Sequence, residues 1–507
     1  MNQYPVVIAG GGTVGLATAV FLGHHGVPSL VVERRAAPSD HPRALGISPR
    51  TLELFREAGI RDAVDAVAVR STELWKADVR TVAEIDRSGN HPKPHLEDPN
   101  SPETSHGHYP QDALDAVLVP AARERGATIE FGVEVTGVEQ DGDGVSVALS
   151  DGRVIRADYL VGADGARSAV RDLLGISTTG PGEIGDTTVN ILFHADLVGH
   201  FGSMPVMTQI SHPDAPGMLL SVGERRWVLH VVSPTGENFS EERCAAAVRT
   251  AIGADVPVEI VSALTWRATA RMADEFRAGR AFLVGDAART ISPLGAFGLN
   301  TGLADAHNLA WKLALVLGGR AGDRLLDSYH EERHAVAELV TQQALLRWEN
   351  PALHWDPAAV AGRAAAGMWH APMVLMGYRY DSSAVIDPVT AVPSTEDVRA
   401  SRDGAPGSLL PHRWLDEGTS SLDLPGSRFA VLTGPAGEPW CEAAERVAAP
   451  LGLEVRTARL DAEWASSVGI DEGGALLVRP DGFIAWRTDQ NADDAVLGKV
   501  LAAVTGR

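Results

Sequence analysis

The sequence predicts an α/β fold in which a parallel sheet flanked by helices is interrupted by a separate, antiparallel sheet domain. Two strand–turn–helix units and an alternating stretch between them predict it. The first unit opens the chain: strand Val6–Ala9, a glycine turn, a helix from about Val14 to His25, then strand Ser29–Glu33, which is a βαβ unit. The second reads GRAFLVGDAARTISPLGAFGLNTGLADAHNLAWKL, from Gly279 to Leu313. Between them, residues 176–270 alternate apolar and polar positions, as in MLLSVGERRWVLHVV, the period-two pattern of strands.

A chain of 507 residues is too long for one core. Residues 1–175 together with 271–335 are expected to form one discontinuous domain. Residues 176–270, with part of 70–110, form a second. Residues 336–400 read as a helical segment, and RDGAPGSLLPH (Arg402–His412) leads into a last α/β domain, 401–507. The stretch Arg87–Pro110 is rich in Pro, His and Asn and reads as irregular, and a helix from Gln111 to about Arg125 follows it.

Apolar residues at 45% and charged residues at 22% are values of a globular enzyme. The 66 acidic residues outnumber the 44 basic ones, giving a formal charge of -22 that repels phosphate backbones and anionic lipid. No nucleic-acid or membrane partner is therefore expected. The only cysteines, Cys244 and Cys441, lie too far apart in sequence for a Cys-x-x-Cys pair, which fits a reducing, cytoplasmic setting. The run VVIAGGGTVGLATAVFLG lacks the basic start of a signal peptide, and no apolar run reaches the roughly 20 residues that span a bilayer.

Three motifs carry chemistry. In GGGTVG, Gly10, Gly12 and Gly15 stand in G-x-G-x-x-G register, with Thr13 and Val14 at the variable positions. Gly10 permits the tight turn, Gly12 admits a pyrophosphate to the backbone, and Gly15 lets helix and strand pack closely. Glu33, followed by Arg34, ends the second strand where a carboxylate meets an adenosine ribose. This Rossmann-like signature does not distinguish NAD from FAD. In YLVGADGARSAVR, a strand delivers Asp164-Gly165 to a turn before a helix that starts near Ser168 and Arg171. In the third motif Gly285-Asp286 ends a strand, so that Asp286 is placed to accept a hydrogen bond from a ribityl-like hydroxyl. A turn at Pro293 and the glycines Gly295 and Gly298 then lead into a helix from about Leu299. Leu303, Ala306, Ala310, Leu313 and Leu317 form its apolar stripe, and Asp305, Asn308 and Lys312 its polar row. Backbone N–H groups of Gly298, Leu299 and Asn300 make a second anion site, suited to the charge that a reduced flavin carries near N1 and the C2 carbonyl. Nicotinamide needs no such site.

These motifs in this order resemble the flavoprotein aromatic hydroxylases, single-component FAD and NAD(P)H monooxygenases related to para-hydroxybenzoate hydroxylase. Actinobacterial polyketide hydroxylases and the phenol and rifampicin monooxygenases are the nearer likeness. HPRALGISPRTLEL (His41–Leu54) matches the segment whose arginine, here Arg43, lies near flavin and pyridine nucleotide. YPQDALDAVL matches the segment whose glutamine, here Gln111, contacts the flavin, and the position of Val135 touches adenine through its backbone. PHRWL and GALLVRPDGFIAW resemble a thioredoxin-like C-terminal domain. Lacking Cys-x-x-Cys, it is expected to be structural. The implied fold is a Rossmann-like FAD-binding domain with an inserted sheet-based substrate domain, a helical segment and that C-terminal domain. Two departures stand out: GDAAR where the family has GDAAH, which places Arg289 near the site, and Ser292-Pro293 where two prolines are common.

The chemistry implied is hydroxylation. NADPH or NADH, visiting transiently because only one G-x-G-x-x-G is present, reduces FAD. O2 adds at flavin C4a, and the hydroperoxide gives an oxygen atom to an electron-rich aromatic ring, expected to be polycyclic and polyketide-like. The pocket between flavin and middle sheet must be dry, and no catalytic side chain is assigned. Gln209 and His230 lie on predicted strands and are candidate substrate contacts, an ordinary sheet surface being the plainer reading. His106 and His108 in HGHYP lack a third ligand, so no metal is expected. The motifs leave open a Baeyer–Villiger or epoxidising monooxygenase, a non-catalytic flavin- or drug-binding protein, an NAD-dependent dehydrogenase, and a monomer or a homodimer.

Overall fold

A computed structural model describes residues 3–69, 76–87, 98–105, 107–233, 235–356 and 358–507. Its first sheet is built from strands with continuous apolar runs, VVIA in Gln3–Ala9 and SLVVE in Ser29–Glu33, which are buried on both faces. The order across the sheet is Arg277–Ala278, Ala281–Leu283, Val154–Gly162, Gln3–Ala9, Ser29–Glu33 and Thr128–Phe131. All but the first run parallel, and the hairpin Val135–Gln140/Val145–Leu149 extends the sheet from Val154–Gly162. Ala9 pairs with Val32 and Gly162, and Gly162 with Leu283. The carboxyl ends therefore align, and the Gly10, Asp164 and Gly285 turns emerge along one edge. That edge is where open α/β sheets bind ligands.

Two helices start from this edge. Thr13–His24 packs on Phe297–Leu317, and Gly302 leaves room for the approach. A Cβ there would stand 2.9 Å from Val14 Cγ2 and 3.1 Å from the Gly285 Cα.

The second sheet has the order Arg289–Thr290, Glu259–Ala273, Thr178–His194, Arg226–Ser233, Gly217–Ser221, Met207–Ile210 and Lys76–Val79. It is antiparallel except where Lys76–Val79 joins Met207–Ile210. One face buries Val189, Ile191, Phe193, Leu219, Trp227, Leu229 and Val231 against Cys244 and Val248 of helix Glu241–Ile252. The alternating pattern read from the sequence is this one-sided burial. Much of the irregular 87–110 stretch, including His106, lies outside the described residues.

The long helix Asp327–Glu349 and shorter helices at Pro351–Trp355, Val360–Ala365 and Ala371–Met376 follow. The expected helical segment stops there: 377–397 carries no helix. Pro388 and Pro393, with the β-branched and turn-forming residues around them, break the pattern. The last sheet, in the order Val455–Arg459, Phe429–Thr433, Ala475–Val478 and Ile484–Thr488, is a βαβ unit through helix Glu438–Ala448, then an antiparallel hairpin and helix Asp494–Val504. Cys441 is a buried free thiol in its first helix.

The hairpin turn of this module enters the space between Phe297–Leu317 and Asp327–Glu349. Arg479 donates to both Glu332 oxygens, at 2.5 and 2.9 Å, and through Nε to Asp481 at 3.1 Å. Lys312 Nζ reaches Glu332 at 2.8 Å, and Asp481 accepts from Trp311 Nε1 at 3.2 Å and Asn308 Nδ2 at 3.3 Å. Asn308 and Lys312, expected on a polar face, are buried along with Asp305. The helix is covered on all sides, and its polar row meets buried partners instead of water. Arg479 and Lys312 hold the Glu332 carboxyl well below the usual range, and burial lowers Lys312 to about 8. Among the described residues no helix is long and apolar enough to cross a membrane.

Replacing Glu332 with alanine leaves two buried cations without their shared anion. Stability should drop by about 3–5 kcal/mol, measured as a lower urea midpoint.

Candidate active site at the carboxyl edge of the parallel sheet

The first turn is shaped by what its glycines lack. Gly10 has φ +107, and a Cβ on it would lie 2.4 Å from the Ala163 oxygen. A Cβ on Gly15 would lie 1.9 Å from the Gly10 oxygen, whereas one on Gly12 would meet nothing within 4 Å. Gly12 is the N-cap of Thr13–His24 and no side chain caps that helix. Its first N–H groups therefore have no side-chain acceptor, as an anion site requires. Glu33 accepts from Gly11 N at 2.8 Å and Arg35 N at 2.9 Å, which fixes its carboxylate at the turn with lone pairs to spare. Val133 N bonds the Glu33 carbonyl at 3.0 Å and so carries Val135 past the same point. Arg34 points away, to Glu134 at 3.8 Å.

Thr13 donates to Asp115 at 2.5 Å, and burial pushes the Asp115 carboxyl up to about 7. Sequence reasoning missed Asp115. Its position four residues after Gln111, on the same helix face, was the available signal. Gln111 N bonds the Ala44 oxygen at 3.0 Å, which sets Gln111 beside Arg43. Burial lowers the Arg43 guanidinium, offset in part by the charges of Asp286 and Asp115.

At the second turn Gly285 has φ +60, and a Cβ on it would stand 3.1 Å from the Val14 methyls. Its N–H is held by Asp305 at 3.1 Å. Asp286 faces the cleft with no hydrogen bond to the described residues, and the protein around it raises its carboxyl against the opposing Arg289 and Arg43 charges. Asp164 accepts from Val170 N at 3.0 Å, while its Oδ1 is buried without a partner. Ser292 accepts from Leu294 N at 3.3 Å and braces the turn, leaving Pro293 exposed.

Gly295 and Ala296 take φ values of +97 and +54, and the helix starts at Phe297, two residues before the expected Leu299. With the helix starting there, the first-turn N–H groups of Phe297, Gly298 and Leu299 have no intrahelical partner. The Asn300 side chain is a clamp. Its Oδ1 accepts from Ser48 N at 2.8 Å and Thr51 Oγ1 at 2.7 Å, and its Nδ2 donates to the Gly46 and Ala296 oxygens at 3.1 and 2.8 Å.

Arg289 does not enter the site with its side chain. It is 3% exposed and pairs with Asp305 at 2.5 Å beneath the turn, and the other Asp305 oxygen takes Arg333 Nε at 2.7 Å.

Gln209, Met218, His230, Asn190 and Leu264 stand opposite one another across the second sheet, on the face away from helix Glu241–Ile252. Leu45 packs on Leu192 and Val228 of that face, His41 Nδ1 meets Ser262 Oγ at 2.8 Å, and Arg226 reaches the Asp40 oxygen at 3.2 Å and Asp112 at 2.8 Å. The segment that carries Arg43 thus joins this face to the start of the Phe297 helix, where a Cβ on Gly46 would lie 3.1 Å from that of Ala296. Gln209 is exposed and donates to the Gly217 oxygen at 2.9 Å. His230 is half-buried, and burial lowers its imidazole to about 4. His108 Nδ1 meets the Ser221 oxygen at 3.0 Å, and among the described residues no three His, Cys, Asp or Glu side chains are grouped to hold a metal.

A bare helix N-terminus at each turn, an unbonded Asp286 and the orphaned Asp164 oxygen fit a dinucleotide whose second half is an isoalloxazine. Comparison with known proteins agrees. The FAD binding domain family matches residues 3–344, and the C-terminal domain of aromatic-ring hydroxylases matches 403–507. The chain is 39% identical to tetracenomycin B2 monooxygenase-dioxygenase of Streptomyces olivaceus, over 100% of this chain and 99% of that protein. It is 38% identical to aklavinone 12-hydroxylase RdmE of Streptomyces purpurascens, over 100% and 99%. The solved structure of aklavinone-11 hydroxylase with FAD and aklavinone superposes with a TM-score of 0.87 at 36% identity, over all of both chains. The flavin-dependent monooxygenase PieE with FAD and substrate superposes at 0.84 and 32%, over 99% of each. The chain belongs to the FAD-dependent aromatic-ring hydroxylases.

Proposed function

We propose that this protein is an FAD-dependent, NAD(P)H- and O2-consuming monooxygenase that hydroxylates a polycyclic aromatic substrate of polyketide type. The observation that carries the reading is the pair of uncapped helix N-termini, at Gly12 and at Phe297–Leu299, opening from one sheet edge. A dehydrogenase needs the first and has no use for the second.

In this reading Gly10, Gly12, Thr13, Val14 and Gly15 hold the diphosphate. Glu33 and the backbone of Val135 serve the adenosine, and Asp164 and Asp286 serve the ribityl chain. Arg43, Gln111, Pro293, Gly298 and Leu299 surround the ring, with Asn300 holding the Arg43 segment in place. Bound FAD supplies hydride acceptance, dioxygen activation and oxygen-atom donation. The chain binds, orients and excludes water: the helix dipole and the Phe297–Leu299 N–H groups stabilise negative charge on the ring. Leu45, Leu192 and Val228 pack a dry wall beside it. Relatives named for aromatic polyketide hydroxylation support the substrate class.

Purified protein should be yellow, and a hydroxyanthraquinone should speed its NAD(P)H oxidation while one atom of isotopic O2 enters the product. A colourless protein that takes up no FAD, or product without label, overturns the reading. Asp286→Ala removes a charged acceptor and should weaken FAD about ten- to a hundredfold in a fluorescence titration of apoprotein.

A further inference from the structure

The substrate-facing side of the second sheet changes character within one strand step. Leu192 and Val228, under Leu45, are buried. Two residues along, about 7 Å, the row Leu264–Asn190–His230–Met218 carries three half-buried side chains around Asn190, which is 5% exposed. Further along the same strand Trp348 closes against Gly185, where a Cβ would lie 2.1 Å from its ring.

On this face the Asn190 amide nitrogen and the His230 ring are left without hydrogen-bond partners among the described residues. Trp266 Nε1 donates to Asn190 Oδ1 at 2.8 Å. An indole nitrogen only donates, so the contact fixes which way the amide points and leaves Nδ2 as its free group. His230, the cross-strand neighbour of Asn190, makes no hydrogen bond to the described residues. Burial keeps its ring neutral, so it offers one acceptor nitrogen. Side chains so paired have Cβ atoms about 5 Å apart.

We infer that Asn190 and His230, braced by Trp266, form a donor–acceptor pair that reads a hydroxyl beside a carbonyl on a fused-ring aromatic substrate. Asn190 Nδ2 donates to the carbonyl and His230 accepts from the hydroxyl. The pair is a positioning and selectivity device: it fixes which ring edge faces the sheet and therefore which carbon faces the flavin. It rests on the monooxygenase reading for the identity of the pocket, but makes a binding claim of its own.

The test uses the FAD-loaded full chain with 1,8-dihydroxyanthraquinone and its 1,8-dimethoxy counterpart, reading affinity from quenching of protein fluorescence. The wild type should prefer the dihydroxy probe about tenfold. Asn190→Ala and His230→Phe should each erase most of that preference at unchanged FAD content. His230→Gln, which restores an acceptor, should recover it, and Trp266→Phe, which frees the amide, should lower it. No preference in the wild type, or a preference that survives both Asn190→Ala and His230→Phe, overturns the inference. If the preference depends on the pair but neither probe speeds NAD(P)H oxidation, the pair stands and the monooxygenase reading falls. Stimulated oxidation with a preference indifferent to the pair gives the reverse.

Discussion

The contact among Val14, Gly285 and Gly302 sets the geometry of everything around it. Two helices pointing their N-termini at one ligand must lie closer than ordinary side chains permit, and at Gly302 a single missing methyl allows it. The distance between the Gly10 turn and the Phe297 helix start follows from that approach. So does the tilt of the Gly285 turn, whose N–H is then fixed from behind by Asp305. A cofactor that spans both turns needs their separation to be rigid, and close backbone packing gives rigidity that long side chains do not.

Behind this contact the Phe297–Leu317 helix is a spine of buried charge. Asp305 meets Arg289 and Arg333, and Lys312 shares Glu332 with Arg479. Burying such groups costs several kcal/mol per ion unless each is matched, and here each carboxylate has at least two cationic or N–H donors. The network joins elements from three parts of the chain, and its members specify one another's position in a way that apolar packing does not.

The turns were legible in the sequence because their physics is local. Gly10, Gly15 and Gly285 are demanded by positive φ or by backbone contact, and the strands Ser29–Glu33 and Val154–Gly162 by uninterrupted apolar runs. The roles of Asn300, Arg289 and Asn190 were not legible, because their partners are remote: Asn300 clamps Ser48 across 252 positions and Trp266 orients Asn190 across 76. Helical periodicity misled twice. It cannot distinguish a polar row facing water from one facing buried partners, as with Asn308 and Lys312. It also carried the helical segment past Gly377, where two prolines forbid it. The start of the Phe297 helix moved by two residues because Ala296, a non-glycine, adopts a left-handed conformation.

The Arg479 hairpin has a consequence for ancestry and engineering. The C-terminal module lacks the cysteine pair that would give it redox work, yet it places its own cation and anion inside the neighbouring domain's helix pair. Such a module is not an appendage that recombination can exchange freely. A chimera would inherit either an orphan carboxylate or a surplus guanidinium unless donor and recipient had matched at those positions beforehand. The two halves are therefore obliged to drift together.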